Sequence, residues 1–167
     1  MAAQTLTTTP AVIITPAEFL QHWQGHRALT RRVIERFPEE ALLNHRIGGM
    51  RTFAQLTQEL LDLGLGVKGI ATREWPQMTE MTHNKNLHLT KEELLQRWDA
   101  LTDTINEYWA KITPERFHET DKAFGMYEGT VISLALYLVD NEIHHRGQGY
   151  VYLRSLGIEP PPFWDRP

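Results

Sequence analysis

Near the C-terminal end of the chain, the run Asn141-Glu142-Ile143-His144-His145-Arg146-Gly147-Gln148 interrupts a segment that otherwise reads as a buried helix. Leu134, Leu138, Asn141, His145, Gln148 and Tyr152 follow one another at intervals of three or four residues, which puts all six on one helical face. An imidazole and two amides set among apolar side chains need partners, because an unpaired polar group inside a core is costly. Two kinds of partner satisfy them. One is a divalent ion held by Asn141 and His145, which are one helical turn apart and can point at one centre. The other is a closed hydrogen-bond network of Asn141, His145 and Gln148 that fixes the register of the helices. Both need an acid from a facing helix. Glu59 is the best placed, as a third ligand in one case and as the acceptor for His145 in the other. Asp140 and His144 form a second candidate pair on another face. Glu142 is a further oxygen donor about 100° away from Asn141.

Four long helices are expected to carry these residues. The first opens with Thr15 as N-cap, Pro16 at the first helical position and Glu18 closing a capping box; Phe19, Trp23, Val33 and Phe37 give its apolar spacing, and Pro38 ends it. The second begins near Arg51 or Thr52. Its apolar stripe is Phe53, Leu56, Leu60, Leu63 and Val67, and Gly64 and Gly66 loosen its end. The third follows a capping box at Thr90 and Glu93 and carries Leu94, Trp98, Leu101, Ile105, Tyr108 and Ile112. The fourth runs from about Thr130 to Leu156 and stops at Gly157, ahead of Pro160, Pro161 and Pro162. Residues 70–89 and 113–128 read as long connections, and no strand-like alternation stands out. Thr-rich residues 1–14 are expected to form a flexible tail and residues 15–167 a single domain. The pattern is all-α: an up-down four-helix bundle with long connecting loops.

The composition narrows the function. The formal net charge is −4 with no block of like charge, which argues against nucleic acid as a partner. Arg27, Arg31, Arg32 and Arg36 are expected to form a solvated helix face. The absence of cysteine excludes disulfides, thiolate nucleophiles and Cys-bound zinc. No leader of basic then apolar residues and no membrane-length apolar stretch is evident, so a cytoplasmic location is expected. Ser133 and Ser155 lack a nucleophile signature, and Gly48-Gly49 is not followed by the Lys and Ser/Thr of a phosphate loop. His45 reads as a solvated loop residue, and His83 and His88 lack ligand spacing. The five Trp residues read as core and interface anchors rather than a base-stacking platform.

Residues 51–63, Arg-Thr-Phe-Ala-Gln-Leu-Thr-Gln-Glu-Leu-Leu-Asp-Leu, and residues 137–161, with Asp-Asn-Glu-Ile-His-His-Arg-Gly-Gln and Leu-Gly-Ile-Glu-Pro-Pro, resemble the second and fourth helices of the DinB-like (damage-inducible) superfamily of metal-binding four-helix bundles. The resemblance spans about residues 15–160. It implies a divalent ion, often zinc or nickel, held by a His on the second helix and a His-x-x-x-His pair on the fourth. Those positions fall at Glu59, Asn141 and His145, of which only His145 keeps the common residue type. A Glu/Asn/His set favours a harder ion such as manganese. The resemblance further implies thiol S-transfer to an electrophile, or hydrolysis, with a small-molecule or thiol substrate. It also implies a homodimer, and the tail Pro162-Phe163-Trp164 is one segment able to pack on a neighbour. The competing reading is a non-catalytic, stress-related dimeric binding module whose polar core holds no metal. Position 141 separates the two.

Overall fold

The computed structural model describes residues 13–166 apart from 84, 86 and 88. His88 and all of the expected tail except Ile13 and Ile14 thus lie outside the described residues.

Helix α1 (Pro16–Arg36) starts as its sequence requires. The Thr15 hydroxyl accepts from Glu18 N at 3.2 Å, and the Glu18 carboxylate accepts from Thr15 N at 2.7 Å. A short helix, α2 (Glu39–Asn44), lies in the loop that follows. Helix α3 (Phe53–Gly64) has a capping box of Thr52 and Gln55. Its glycine-rich end does not stop the helical course: after Leu65 it continues as α4 (Gly66–Thr72), which ends at Arg73 in the left-handed region, φ 68°. Helix α5 (Lys91–Trp109) opens on the expected Thr90/Glu93 box. Helix α6 (Val131–Ser155) is capped by Thr130 and followed by Gly157 at φ 73°.

The expectation of no strands is corrected. The connection before α6 holds an antiparallel hairpin of β1 (Thr120–Ala123) and β2 (Tyr127–Thr130), with Phe124 and Gly125 at positive φ in its turn. Each strand has four residues and only Ala123 is buried, so no alternation of apolar and polar residues marks them.

Contacts along the helices fix their directions. Trp109 Nε1 donates to Pro16 O at 2.8 Å and Lys91 Nζ to Phe37 O at 2.8 Å, so α1 and α5 are antiparallel. Thr30 meets Glu142 and Arg36 meets Glu159, so α1 and α6 are parallel. Tyr152 Oη donates to Arg51 O at 2.8 Å while Gly66 lies against Leu138, so α3 and α6 are antiparallel. Gln58 reaches Leu87 and Gly64 sits on Leu101, so α3 and α5 are parallel. The all-α bundle therefore runs up, down, down, up, and a long crossover must return the chain from the end of α4 to the start of α5.

The interior has two apolar centres. One gathers Phe19, Trp23, Val67, Ile105, Trp109 and Val131; the other gathers Ile34, Phe37, Phe53, Leu60, Trp98 and Tyr152. Each fully buried large side chain among them contributes roughly 1.5–3 kcal/mol. Between the two centres, along α1 and α6, lie the buried polar side chains His26, Arg27, Thr30, Glu142, His145 and Arg146. Trp23, Trp98 and Trp109 are buried in these centres, while Trp164 is 71% exposed. Among the described residues no helix is long and apolar enough to cross a membrane.

Candidate metal centre

The α3–α6 contact brings Glu59 and His145 together. Gly149 makes the close approach possible, because a Cβ there would lie 2.4 Å from the Phe53 ring. With the helices seated this way, Glu59 Oε1 lies 3.1 Å from His145 Nε2. The second carboxylate oxygen of Glu59 is 2.5 Å from Arg51 Nη2. These two partners, His145 first, hold the Glu59 carboxyl down at about 2, although its partial burial opposes them. Glu59 is thus an anion at every physiological pH.

Gln148 orients the His145 ring. Its Nε2 donates to His144 Nε2 at 3.0 Å, which turns its Oε1 toward His145 Nδ1 at 3.3 Å. With its hydrogen on Nε2, His145 donates to the Glu59 carboxylate; with a lone pair there, the ring and the carboxylate can share one cation across the same 3.1 Å. Donor atoms bound to one ion at about 2.0–2.2 Å are themselves roughly 3.0–3.5 Å apart, so this spacing fits either. Asn141, one turn before His145, has a buried amide nitrogen with no partner among the described residues. An amide that makes no hydrogen bond inside the chain is free to turn its oxygen to a ligand.

The donor set has one carboxylate, one imidazole and one neutral amide. Among the described residues no three His, Asp or Glu side chains converge as a stronger set would. The set fits a hard divalent ion held with modest affinity, because Arg51 competes for the charge of Glu59. Earlier along α6, Leu134, Tyr137 and Leu138 line a cavity of about 140 Å³ with Trp75, Phe124 and Tyr127. Burial, then the neighbouring Tyr127 and the charge on Glu59, push the Tyr137 hydroxyl up.

Other candidates are not brought to this site. Asp140 and His144 are both exposed. His45 Nε2 pairs with Ser155 Oγ at 2.9 Å, at the end of α6. His83 Nδ1 sits 2.8 Å from Asp62 Oδ2, and the same carboxylate accepts from the backbone of Thr82 and His83, so the pair anchors the loop to α3.

The most deeply buried carboxylate among the described residues, Glu142, is one that sequence spacing set aside. Glu142 faces α1, where it accepts from Thr30 Oγ1 at 2.7 Å and lies 3.9 Å from Arg27 and 4.0 Å from Arg146. Burial pushes its carboxyl up while Arg27, Thr30 and Arg146 draw it down. The expectation that Arg27 is solvated is corrected: it is 1% exposed, lies over the Trp98 ring at 4.1 Å and donates to Trp98 O. Arg146 is buried too and donates to His26 Nδ1 at 2.9 Å. The signal was present in α1, where Trp23, Arg27, Thr30 and Ile34 repeat at intervals of three or four residues on one face.

A family model described as the DinB family matches residues 1–165. No curated protein sequence matches the chain. Several solved structures share its fold, two of them as follows. A DinB-like protein from Bacillus subtilis has 20% identity and a TM-score of 0.68, over 87% of this chain and 96% of that one. A DinB-like protein from Bacillus cereus has 17% identity and a TM-score of 0.70, over 87% and 95%.

Proposed function

The chain belongs to the DinB family, and on that premise we propose that the cluster between α3 and α6 is a divalent-cation site held by Glu59, Asn141 and His145. One observation carries the reading: His145 Nε2 and the Glu59 carboxylate, on facing helices, lie 3.1 Å apart, the spacing of two ligands of one ion. The buried, unpartnered amide of Asn141 supports the choice of a metal ion over a proton. Oxygen-rich ligation favours manganese, with zinc and nickel as competitors. When bound, the ion acts as a Lewis acid toward a small-molecule substrate, in thiol transfer or in hydrolysis. The protein side chains do the rest. Glu59 supplies the negative charge, Arg51 restrains its free oxygen, and Gln148 keeps the His145 ring oriented. The aromatic-lined cavity earlier along α6 receives the apolar part of the substrate.

A second reading rests on the same contact. If a hydrogen on Nε2 joins His145 to Glu59, the cluster is a hydrogen-bond network and the protein a non-catalytic binding module. Elemental analysis of untagged protein separates the two. A near-stoichiometric divalent ion is expected, lost in both Glu59→Ala and His145→Ala while the helical circular dichroism is kept. Protein that holds no metal after incubation with manganese, zinc or nickel would overturn the cation site and leave the network.

A further inference from the structure

Four aromatic rings converge where the β1–β2 hairpin packs on α4 and α6. Trp75, Phe124, Tyr127 and Tyr137 line the cavity of about 140 Å³, with Leu134 and Leu138 among the rest of its wall. Aromatic residues are 10% of the chain but four of the seven that line this space. None of the seven is charged at neutral pH.

The rings are placed against local preference. Gly66 and Gly69 belong to the seven-residue α4, where alanine would make a better helix. A Cβ at Gly69 would lie 2.2 Å from Trp75 Cδ2, and one at Gly66 2.9 Å from Phe124 Cζ, so both glycines leave room for these rings. Phe124 and Gly125 are the central residues of a tight turn, at φ 54° and 71°, with Met126 N donating to Ala123 O at 3.0 Å. The first of these places ordinarily goes to Asn, Asp or Gly, and a bulky residue at positive φ is rare. Here it turns a phenyl ring inward, 3% exposed, with its centroid 5.5 Å from that of Trp75. The Tyr127 and Tyr137 rings lie 6.3 Å apart, both half-exposed, and form the open side.

The rings decide what such a box takes. An aromatic face carries partial negative charge and attracts a cation within about 6 Å of its centroid. It repels a carboxylate or phosphate, and no basic side chain lines the cavity to hold one. A primary ammonium brings N–H groups that would leave water with no carboxylate to receive them. A quaternary ammonium has no N–H to satisfy. Its methyl groups fill apolar space while its charge meets the ring faces. At about 30 Å³ for each water-sized group, the cavity holds roughly four or five of them, the size of a nitrogen with its methyl groups. We propose that this cavity binds the quaternary, methylated ammonium group of a small molecule. The assignment rests on the reading of the cavity as the seat of part of a substrate; it needs no ion at Glu59, Asn141 and His145.

Calorimetric titration of the full, untagged chain in the presence of chelator tests it, with choline as the probe. The control is the uncharged isostere of choline, with a tert-butyl group in place of the trimethylammonium. Choline should bind at least about ten-fold more tightly than the isostere, the gain of a cation over desolvated rings. A smaller difference overturns the proposal and leaves an apolar cavity. Tyr127→Leu and Tyr137→Leu change half-exposed rings and should keep the helical circular dichroism. Each should weaken choline by about five-fold or more and bring it closer to the isostere, whereas Tyr127→Phe should bind as the parent does. Choline that does not bind, or that neither leucine variant weakens, overturns the proposal too. Elemental analysis gives an independent answer for the other site. Metal-free protein that binds choline keeps this cavity and loses the cation centre, and metal-loaded protein that ignores choline does the reverse.

Discussion

Gln148 braces His145 against Glu59: its Oε1 lies 3.3 Å from Nδ1, while Nε2 lies 3.1 Å from Glu59 Oε1. The hydrogen bond from His145, with Arg51 beside it, holds the Glu59 carboxyl at about 2, below the ordinary 4.5. The sign follows from linkage: as pH falls, the unfolded chain takes up this proton first, so the stabilisation is complete above about 4.5 and gone by about 2. The shift sets a ceiling of about 3 kcal/mol, and solvent at the partly open carboxylate reduces it to roughly 1–2 kcal/mol. Glu59→Gln, studied by urea unfolding in the presence of chelator, should lower stability at neutral pH by that amount. It should also flatten the acid limb between pH 4.5 and 2; an unchanged limb would remove Glu59 from the account. Glu59 and His145 were legible as a pair because each stands on, or at the edge of, an apolar stripe. Glu142 was not. A wheel centred on Asn141 measures only its angle from that residue, while its burial is decided by α1, where Arg27 and Thr30 wait for it.

At the scale of the element, the seat of α3 on α6 is made by one missing side chain. Gly149→Ala drives a methyl group into the Phe53 ring, which is wedged between the helices and stacked on Phe37 at 4.9 Å. Overpacking of this kind costs about 1–3 kcal/mol. We expect a lowered melting temperature together with a lost Glu59–His145 contact, visible as a changed His145 ring signal in NMR spectra. A variant as stable as the parent, with that signal unmoved, would show that the helices are seated by other contacts. The helices themselves were readable from caps and stripes: Thr15/Glu18 and Thr90/Glu93 open α1 and α5, and Gly157 follows α6. The β1–β2 hairpin was hidden because its strands are short and mostly solvated. The continuation of α3 into α4 was hidden because Gly64 and Gly66 resemble a helix end. Their role is packing, against Leu101 and Phe124.

At the scale of the whole molecule, the segment after α6 returns across α1. Asp165 pairs with Arg32, and Arg166 Nη1 lies 2.8 Å from His26 Nε2. Burial first, then Arg146, His22 and Arg166, hold His26 down at about 3. The unfolded chain therefore protonates this ring as pH falls below 6.5 while the folded one resists until about 3, so stability declines across that window. NMR titration should find His26 neutral well below pH 6.5, and Arg166→Ala should move its titration upward. A His26 that titrates near 6.5 in the folded protein would sever the link to the tail. Helix directions were not legible in the sequence, because an apolar stripe gives a helix a face but no heading. That order of helices puts the two halves of the candidate centre on strangers in sequence. The Glu59–His145 contact closes a loop of 86 residues, and long closures come late in folding. A chain emerging from the ribosome presents Glu59 long before His145 exists. Were the candidate centre to hold an ion, its loading would wait until α3 and α6 are both made and packed, and a bound ion would mark a chain folded through α6.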